Sequence, residues 1–390
     1  MVTTQTADSV LKSYYLGVVT DQLDKSANPF LAMVKKTTSD VWGRDVRKVV
    51  RIGLNGGIGA GTETGDLPPA SGNHYAQLVS TLKNLYGTIE ISDKAIRASA
   101  NSEGAFVNLL NDEMESLVKS SSFNFGRMLY GDGSGTLASI TSSTSDGKIT
   151  VSSVQNLAEG MVVDIVNTSD EIVESGRTIQ DIDRNEKKVV LFGTPIEPMR
   201  LTNTRFVIHG SLNLEITGLN AIFSNKNIYG VKRGENAWFK PYVKTGVGKL
   251  TENMILEAID DIEKNTGSKI NVILCSYEVR RYIYSLLAAK GYTTTGVELE
   301  GGYKTIAING IPVIADRFCP ETSLFLLNTD DFALHQLCDW QWLEGEDGKV
   351  LKQIAGKPVY TATLVKYAEL MCYRPCGQGM LSGINGADLS

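Results

Sequence analysis

Residues 51–73 read RIGLNGGIGAGTETGDLPPASGN and place six glycines within the first fifteen positions. Such density invites a phosphate-binding reading, and the spacing argues against it. A Walker loop needs G-x-x-x-x-G-K-[ST], because its lysine ammonium neutralises the terminal phosphates that the backbone amides wrap. The spacing from Gly56 reaches Gly61, but Thr62 follows where the lysine is required. A dinucleotide loop needs G-x-G-x-x-G opening a helix whose N-terminus meets the pyrophosphate. Here GIGAGTETG runs into DLPPASGN, and two prolines among small residues do not open such a helix. The flanks point elsewhere. DVRKVVRIGL before the glycines and YAQLVSTLKNLYGTIEIS after them are β-prone and partly alternating. Two strands joined by about 25 flexible residues predict a long β-hairpin projecting from the body. Its tip offers almost nothing apolar to bury in its own chain, so a neighbouring molecule is expected to order it.

The next segment is EGAFVNLLNDEMESLVKSSSFNFGRMLYGDGSG, with Asn101 or Ser102 as N-cap and Glu103 in the first turn. Phe106, Leu109, Leu110, Met114, Leu117 and Val118 recur at three- and four-residue steps. Phe125, Met128 and Leu129 prolong the stripe until glycine stops it at Gly131. At roughly 1.5 Å per residue, about 28 residues make a helix of about 40 Å, long for a globular core. Phe106, Leu110, Met114 and Leu117 are its expected core contacts. GDGSG reads as the helix C-cap and turn. It follows a helix instead of preceding one, so its amides do not add to a helix N-terminus.

A chain of 390 residues holds two or three compact units. Its 42% hydrophobic and 21% charged residues suit a soluble globular protein. A net charge of −6 argues against a dedicated nucleic-acid binder, which carries a basic surplus, though not against a protein that merely encloses nucleic acid. No run of apolar residues is long enough to span a membrane. The opening MVTTQTADSVLKSYY has no basic n-region and apolar h-region, so no secretory signal is expected.

Chemistry-bearing patterns are sparse. Cys275, Cys319, Cys338, Cys372 and Cys376 all fall in the last third, an odd number that suits reduced thiols. CYRPC lacks a second cluster, and His74, His209 and His335 stand at no ligand spacing from it, so no metal is expected. In DIDRNE, Asp181, Asp183 and Asn185 mimic the first ligands of a calcium loop. Glu186 occupies the position that needs glycine, so the segment reads as a charged hairpin turn. No H-E-x-x-H or G-x-S-x-G occurs. Asp260 and Asp261 point about 100° apart on a helix and form a solvated face. The reading is of a protein that is not an enzyme and carries no cofactor.

Within 145–211, GKITVSSV, GMVVDIVN, RTIQDIDR, KKVVLFG and TRFVIHG are short strands between Gly, Asn and Asp turns, which predicts a small barrel or sandwich. TENMILEAIDDIEKNTG is an amphipathic helix with Thr251 as cap and Gly267 as stop. KINVILCS, INGIPVIADRFCP and SLFLLNT supply buried strands, and YEVRRYIYSLLAAKG a second helix, together an α/β unit. Long strands follow from FALHQL to MCYRP.

This order, from a helical N-terminal arm through a glycine-rich hairpin and long helix to the turn LYGDGSGTLASI, resembles the major capsid proteins of tailed bacteriophages, which share the Hong Kong 97 fold. The family closes its long spine helix with a glycine-rich turn and a small-apolar segment, matched here by Gly131, Gly133, Gly135, Leu137 and Ile140. The resemblance covers 5–140 and 212–386 and rests on order and spacing. It implies an α+β Hong Kong 97-type fold with a β-rich insertion. Its parts are an N-terminal arm at 1–45, an extended loop at 46–90, and a peripheral domain with spine helix at 91–144. The insertion domain takes 145–211, the axial domain with its connecting segment 212–331, the peripheral strands 332–372, and a C-terminal segment 373–390.

The same resemblance implies a function. It is that of a major capsid protein, assembling with itself as pentamers and hexamers into the icosahedral head shell of a virion. The shell encloses double-stranded DNA without sequence-specific binding, touches no membrane, and is built in the host bacterial cytoplasm. An encapsulin-like shell of a cellular nanocompartment is the alternative. A separate scaffolding protein is expected, because the chain begins almost directly with the arm pattern ADSVLKSYYLGVVTDQL; a portal and a decoration protein are further implied partners. The extended loop is expected to lie across the adjacent subunit's spine helix or peripheral strands. Arg47, Lys48 and Arg51, beside Arg44, sit at its base, with Glu63 and Asp66 near its tip, a polarity that lets one tip meet a neighbour's base. Some relatives join a loop lysine to a neighbour's asparagine. No lysine lies between Lys48 and Lys83 here, so a non-covalent shell is expected.

Overall fold

The computed structural model describes residues 28–94, 103–289, 297–298, 304–345 and 348–385. Residues 1–27 of the expected arm, and the cap positions Asn101 and Ser102, lie outside these. The long helix runs Glu103–Tyr130, with its side chains described from residue 113 onward. It ends where the stripe ends, the Gly131 N–H bonding to the Met128 carbonyl at 3.0 Å.

Beneath the helix lies a five-stranded sheet centred on Val359–Cys372. Phe332–Trp342 pairs antiparallel with that strand and takes Lys35–Thr37 parallel on its outer side; Lys83–Ser92 and Lys352–Gln353 pair with it too. Alternate residues Leu85, Ile89, Leu334, Leu364, Ala368 and Leu370 share one core with Met114, Val118, Phe125 and Leu129 of the helix. Gly87 lets the two layers meet, since a Cβ there would stand 2.9 Å from Leu117 Cδ1.

The sequence pattern continues the hairpin to residue 90, and here the structure differs. Asp45–Ile52 and His74–Thr81 form the hairpin ladder, from Asp45 opposite Thr81 to Ile52 opposite His74, with Val41–Trp42 as a third strand. Lys83–Ser92 instead joins the sheet under the helix, because Leu85, Ile89 and Ile91 alternate onto a face that has a core to fill. Residues 53–73 between the ladder strands hold no helix or strand.

The β-rich part is a closed six-stranded barrel in the order Lys188–Leu191, Lys148–Val151, Thr136–Ser143, Thr204–Ile208, Val162–Asn167 and Ile172–Asp183. It begins earlier than residue 145. Thr136–Ser143 pairs with both Lys148–Val151 and Thr204–Ile208, and its Leu137, Ala138 and Ile140 line the barrel core. The segment that resembles a capping tail of the helix is therefore a barrel stave. The DIDRNE segment forms a turn, with the Asp183 carboxylate accepting from the Asn185 and Glu186 amides at 2.9 and 3.0 Å.

The α/β unit is a seven-stranded sheet ordered Tyr242–Lys244, Gly379–Ser382, Ser323–Leu327, Val272–Cys275, Ile311–Ala315, Lys304–Ile308, Val297–Glu298. Helix Glu252–Thr266 packs Ile255, Ala258, Ile259 and Ile262 into its core, and helix Tyr277–Ala289 adds Val279, Ile283 and Leu287. The first helix starts at Thr251, whose hydroxyl accepts from Met254 N, and stops at Gly267 in the left-handed region (φ 66°). Within the C-terminal segment, Gly379–Ser382 is a strand of this sheet, paired with Ser323–Leu327. No helix among the described residues is long and apolar enough to cross a membrane.

Candidate assembly interface

Period-two alternation splits the hairpin into two faces with different fates. Val46 and Leu78 are fully buried against Tyr229, Val231, Phe239 and Met371, which fastens the hairpin root to the body. Lys48 belongs to this inward face. Its ammonium donates to Asp40 Oδ2 at 2.6 Å and sits 5.4 Å from the centre of the Tyr373 ring. The outward face carries Arg47, Val49 and Arg51, with Val49 57% exposed and Tyr75, which pairs with Arg51, 61% exposed. Arg47 lies 3.6 Å from Asp45. Glu63 and Asp66 are exposed at the tip. So Arg47 and Arg51 share a surface, Lys48 is engaged within its own subunit, and the acidic pair stands apart from all three.

The tip is less bare than its glycines suggest. Leu54, Ile58 and Leu67 are 83%, 83% and 90% exposed. Three large apolar side chains held in water on a projecting loop are a standing demand for a partner surface. Between the root and the α/β unit runs an open groove of about 970 Å³, walled by Arg51, Leu54, Lys240, Asp261, Asp331 and Arg374 among others.

The C-terminal end of the long helix is a junction. Met114 is buried and Leu117 half-buried against the sheet; Phe106 and Leu110 lie on the helix outside the described side chains. At Gly126 a Cβ would lie 2.1 Å from Asn28 Oδ1 and 2.4 Å from Phe318 Cε2, so arm and α/β unit both press on the bare helix backbone. Arg127 and Glu215, each 2% exposed, form a two-pronged ion pair, with Nη1 donating to Oε2 at 2.9 Å and Nη2 to Oε1. At Gly218 a Cβ would stand 2.4 Å from the Met128 carbonyl oxygen. The Tyr130 hydroxyl donates to Asp316 Oδ2 at 2.8 Å. Burial, and then the Asp316 charge, push the Tyr130 pKa well up. One helix end thus ties together the arm, the segment after the barrel and the α/β unit.

A second buried charge sits below the helix. Lys366 is fully buried, donates to Gln336 Oε1 at 3.0 Å and to Asp339 Oδ1, and lies 5.4 Å from the Phe125 ring centre. Lys36 reaches Asp339 Oδ2 at 3.1 Å. Burial works to raise the Asp339 pKa, but Lys366 and Lys36 hold it down to about 2. Nothing in the pattern of 359–372 beyond a charge in an apolar strand announces this pair; Gly126 and Arg127 leave the same faint trace in the helical stripe.

Ser175, His209 and Asp164 come together in the barrel without the geometry of a proton relay. Asp164 Oδ1 meets His209 Nδ1 at 2.8 Å, and the Ser175 hydroxyl donates to that same oxygen at 2.8 Å. A relay places the hydroxyl on the opposite ring nitrogen. The carboxylate also accepts from the Gly176 and Gly210 amides at 2.8 and 3.0 Å, so it closes two turns. Among the described residues no group of His, Cys, Asp and Glu is placed to hold a metal. Cys275, Cys319 and Cys372 are buried, and burial pushes the Cys275 thiol up to about 12.

No protein-family model matches the chain, and no curated protein does. Solved structures do match. The capsid asymmetric unit of cyanophage A-1(L) superposes with a TM-score of 0.56 at 12% identity, covering 92% of this chain and 93% of that one. The capsid of a native GTA particle gives 0.47 at 12% identity, over 90% and 89%. The holo-SrpI encapsulin complex from Synechococcus elongatus PCC 7942 gives 0.45 at 10% identity, over 95% of this chain and 96% of that one. The superposition on the cyanophage subunit puts the likeness to phage capsids read from the sequence in three dimensions: the chain has the mixed α+β fold of a phage capsid subunit.

Proposed function

We propose that the chain is the major capsid protein of a tailed bacteriophage, with the subdomain plan of the Hong Kong 97 fold. The observation that carries the reading is the hairpin, set within that fold. Its root is bolted to the body by Val46, Leu78 and Lys48, while its tip holds Leu54, Ile58 and Leu67 in water. An isolated subunit gains nothing from such a tip. A shell subunit does, because each copy covers its neighbour's tip and the contact repeats around closed rings. Arg47 and Arg51 on the outward face, with Glu63 and Asp66 at the tip, then give the contact its polarity.

Pentamers and hexamers in an icosahedral virion shell follow from this reading, with double-stranded DNA inside and a scaffolding protein, portal and decoration protein as partners. The barrel is an outward platform on the α/β unit: Gln155 donates to the Cys319 carbonyl at 2.9 Å, and Lys187 meets Glu321 at 3.4 Å. Electron microscopy of the purified chain at high concentration tests the proposal. Closed shells, tubes or five- and six-membered rings support it; featureless monomers refute it. Nuclease-protected DNA in natively purified particles supports the genome container, whereas a protein cargo in its place points to a cellular compartment.

A further inference from the structure

The sheet under the long helix has a second face, and two ionisable side chains are buried there side by side. His335 and Glu369 are each 0% exposed and stand directly opposite one another on paired strands. On this face Met371, two residues along the strand from Glu369, packs with Val46 and Leu78 of the hairpin root and with Tyr229 and Phe239.

The hydrogen bonds fix the tautomer of the neutral histidine. Nδ1 lies 2.9 Å from the Ser39 carbonyl oxygen, which only accepts, so Nδ1 carries the proton. Nε2, 2.8 Å from the Tyr373 hydroxyl, then accepts from it. Neutral His335 thus pins the segment entering the hairpin, and Tyr373 in turn lies under Lys48. Burial, then Lys48, act to lower the His335 pKa, against the Ser39 carbonyl and Asp40.

Glu369 is pinned on one side only. Its Oε1 accepts from the Thr217 amide at 3.0 Å, while its Oε2 is buried with no hydrogen-bond partner. A buried carboxylate with a bare oxygen is strongly disfavoured; a protonated carboxyl in the same place is tolerated. Burial raises the Glu369 pKa to about 7, against the opposing pull of Thr217, Lys83 and Ser80. Ser80 pairs with Val46 near the root end of the hairpin ladder, Lys83 begins the next strand, and the Tyr229 hydroxyl donates to the Leu370 carbonyl at 2.9 Å. Arg233 lies beyond Tyr229 and acts on it electrostatically.

We propose that the hairpin root is a pH-sensitive hinge, held shut while Glu369 is protonated and loosened when that carboxyl ionises. The device belongs to the subunit itself and stands whether or not the chain closes into a shell. The sign follows from linkage. A carboxyl with a raised pKa favours the closed state fully below its ordinary value, and that preference is lost as the pH rises to its closed-state value. With about 7 when closed and the ordinary 4.5 when open, the opening constant rises about tenfold from pH 6 to pH 8 through this group alone.

Hydrogen exchange of the unassembled full-length subunit tests this. Peptides covering 45–52 and 74–82 are followed at pH 6 and pH 8 in the wild type and in Glu369→Gln, a neutral side chain of nearly the same shape. Taking the ratio of the two proteins at each pH cancels the chemical exchange rate and the His335 contribution. The ratio of wild-type to variant exchange is expected to grow about tenfold between the two pH values. An unchanged ratio overturns the proposal. If Glu369→Gln fails to fold, infrared difference spectra of the wild type decide: a carboxylic acid band lost between pH 5 and pH 8 together with faster hairpin exchange supports the hinge, and its absence overturns it.

Discussion

Replacing Leu54, Ile58 and Leu67 together by serine tests whether the tip is an assembly contact. In the subunit these side chains are between 83% and 90% exposed, so their loss removes almost no internal packing. Surface changes of this kind usually shift stability by no more than about 0.5 kcal/mol. In the shell the account is different. Burying one such side chain is worth about 1.5–3 kcal/mol, so three contribute about 5–9 kcal/mol per hairpin before the cost of ordering the loop. Even if ordering and imperfect fit leave only about 2–3 kcal/mol, one contact weakens by about 30- to 150-fold. Several such contacts per ring compound the loss. The assay pairs denaturant unfolding of the unassembled subunit with sedimentation velocity over a concentration series. The expected result is an unchanged unfolding midpoint and a loss of assembled species. Shells that form at wild-type concentrations would refute the reasoning, as would a subunit destabilised by several kcal/mol, which would mean that the tip packs on its own chain.

Three further outcomes are expected. Arg127→Met alone should cost about 3–5 kcal/mol by stranding the buried Glu215 carboxylate, while Arg127→Met with Glu215→Leu should recover most of it in a denaturant double-mutant cycle; equal losses would refute the pairing. A fragment spanning 136–211 should fold alone, with dispersed amide resonances and a β-type circular dichroism spectrum, whereas 145–211 lacks the stave Thr136–Ser143 and should not; a folded shorter fragment would contradict the closed barrel. Mature particles boiled in reducing detergent should run as a single band near 42.4 kDa, because residues 53–73 hold no lysine; a covalent ladder would place a cross-link elsewhere on the chain.

Much of the fold was legible because it rests on local patterns. The helical stripe ends at Gly131 and the helix ends at Tyr130; Thr251 and Gly267 cap their helix as their side chain and backbone freedom dictate. Boundaries that depend on distant partners were not. Lys83–Ser92 alternates like a hairpin strand, and only the presence of Val359–Ala368 beside it assigns it to the sheet. Thr136–Ser143 reads as a tail of the helix until the barrel needs a sixth strand to close. The candidate contact divided in the same way. Charge placement on the hairpin was visible, but the inward turn of Lys48 depends on Asp40 and Tyr373, and Glu369 and Lys366 became distinctive only once both faces of the sheet were covered.

The central claim is that the hairpin tip of each subunit is covered by another copy. A reconstruction of assembled particles by electron cryomicroscopy, at a resolution that traces side chains, measures this directly. The account predicts Leu54, Ile58 and Leu67 packed against the long helix or the underlying sheet of an adjacent subunit, with Arg47 or Arg51 near that neighbour's acidic tip. Tips folded back onto their own subunit, or standing free in solvent within a closed shell, would contradict it.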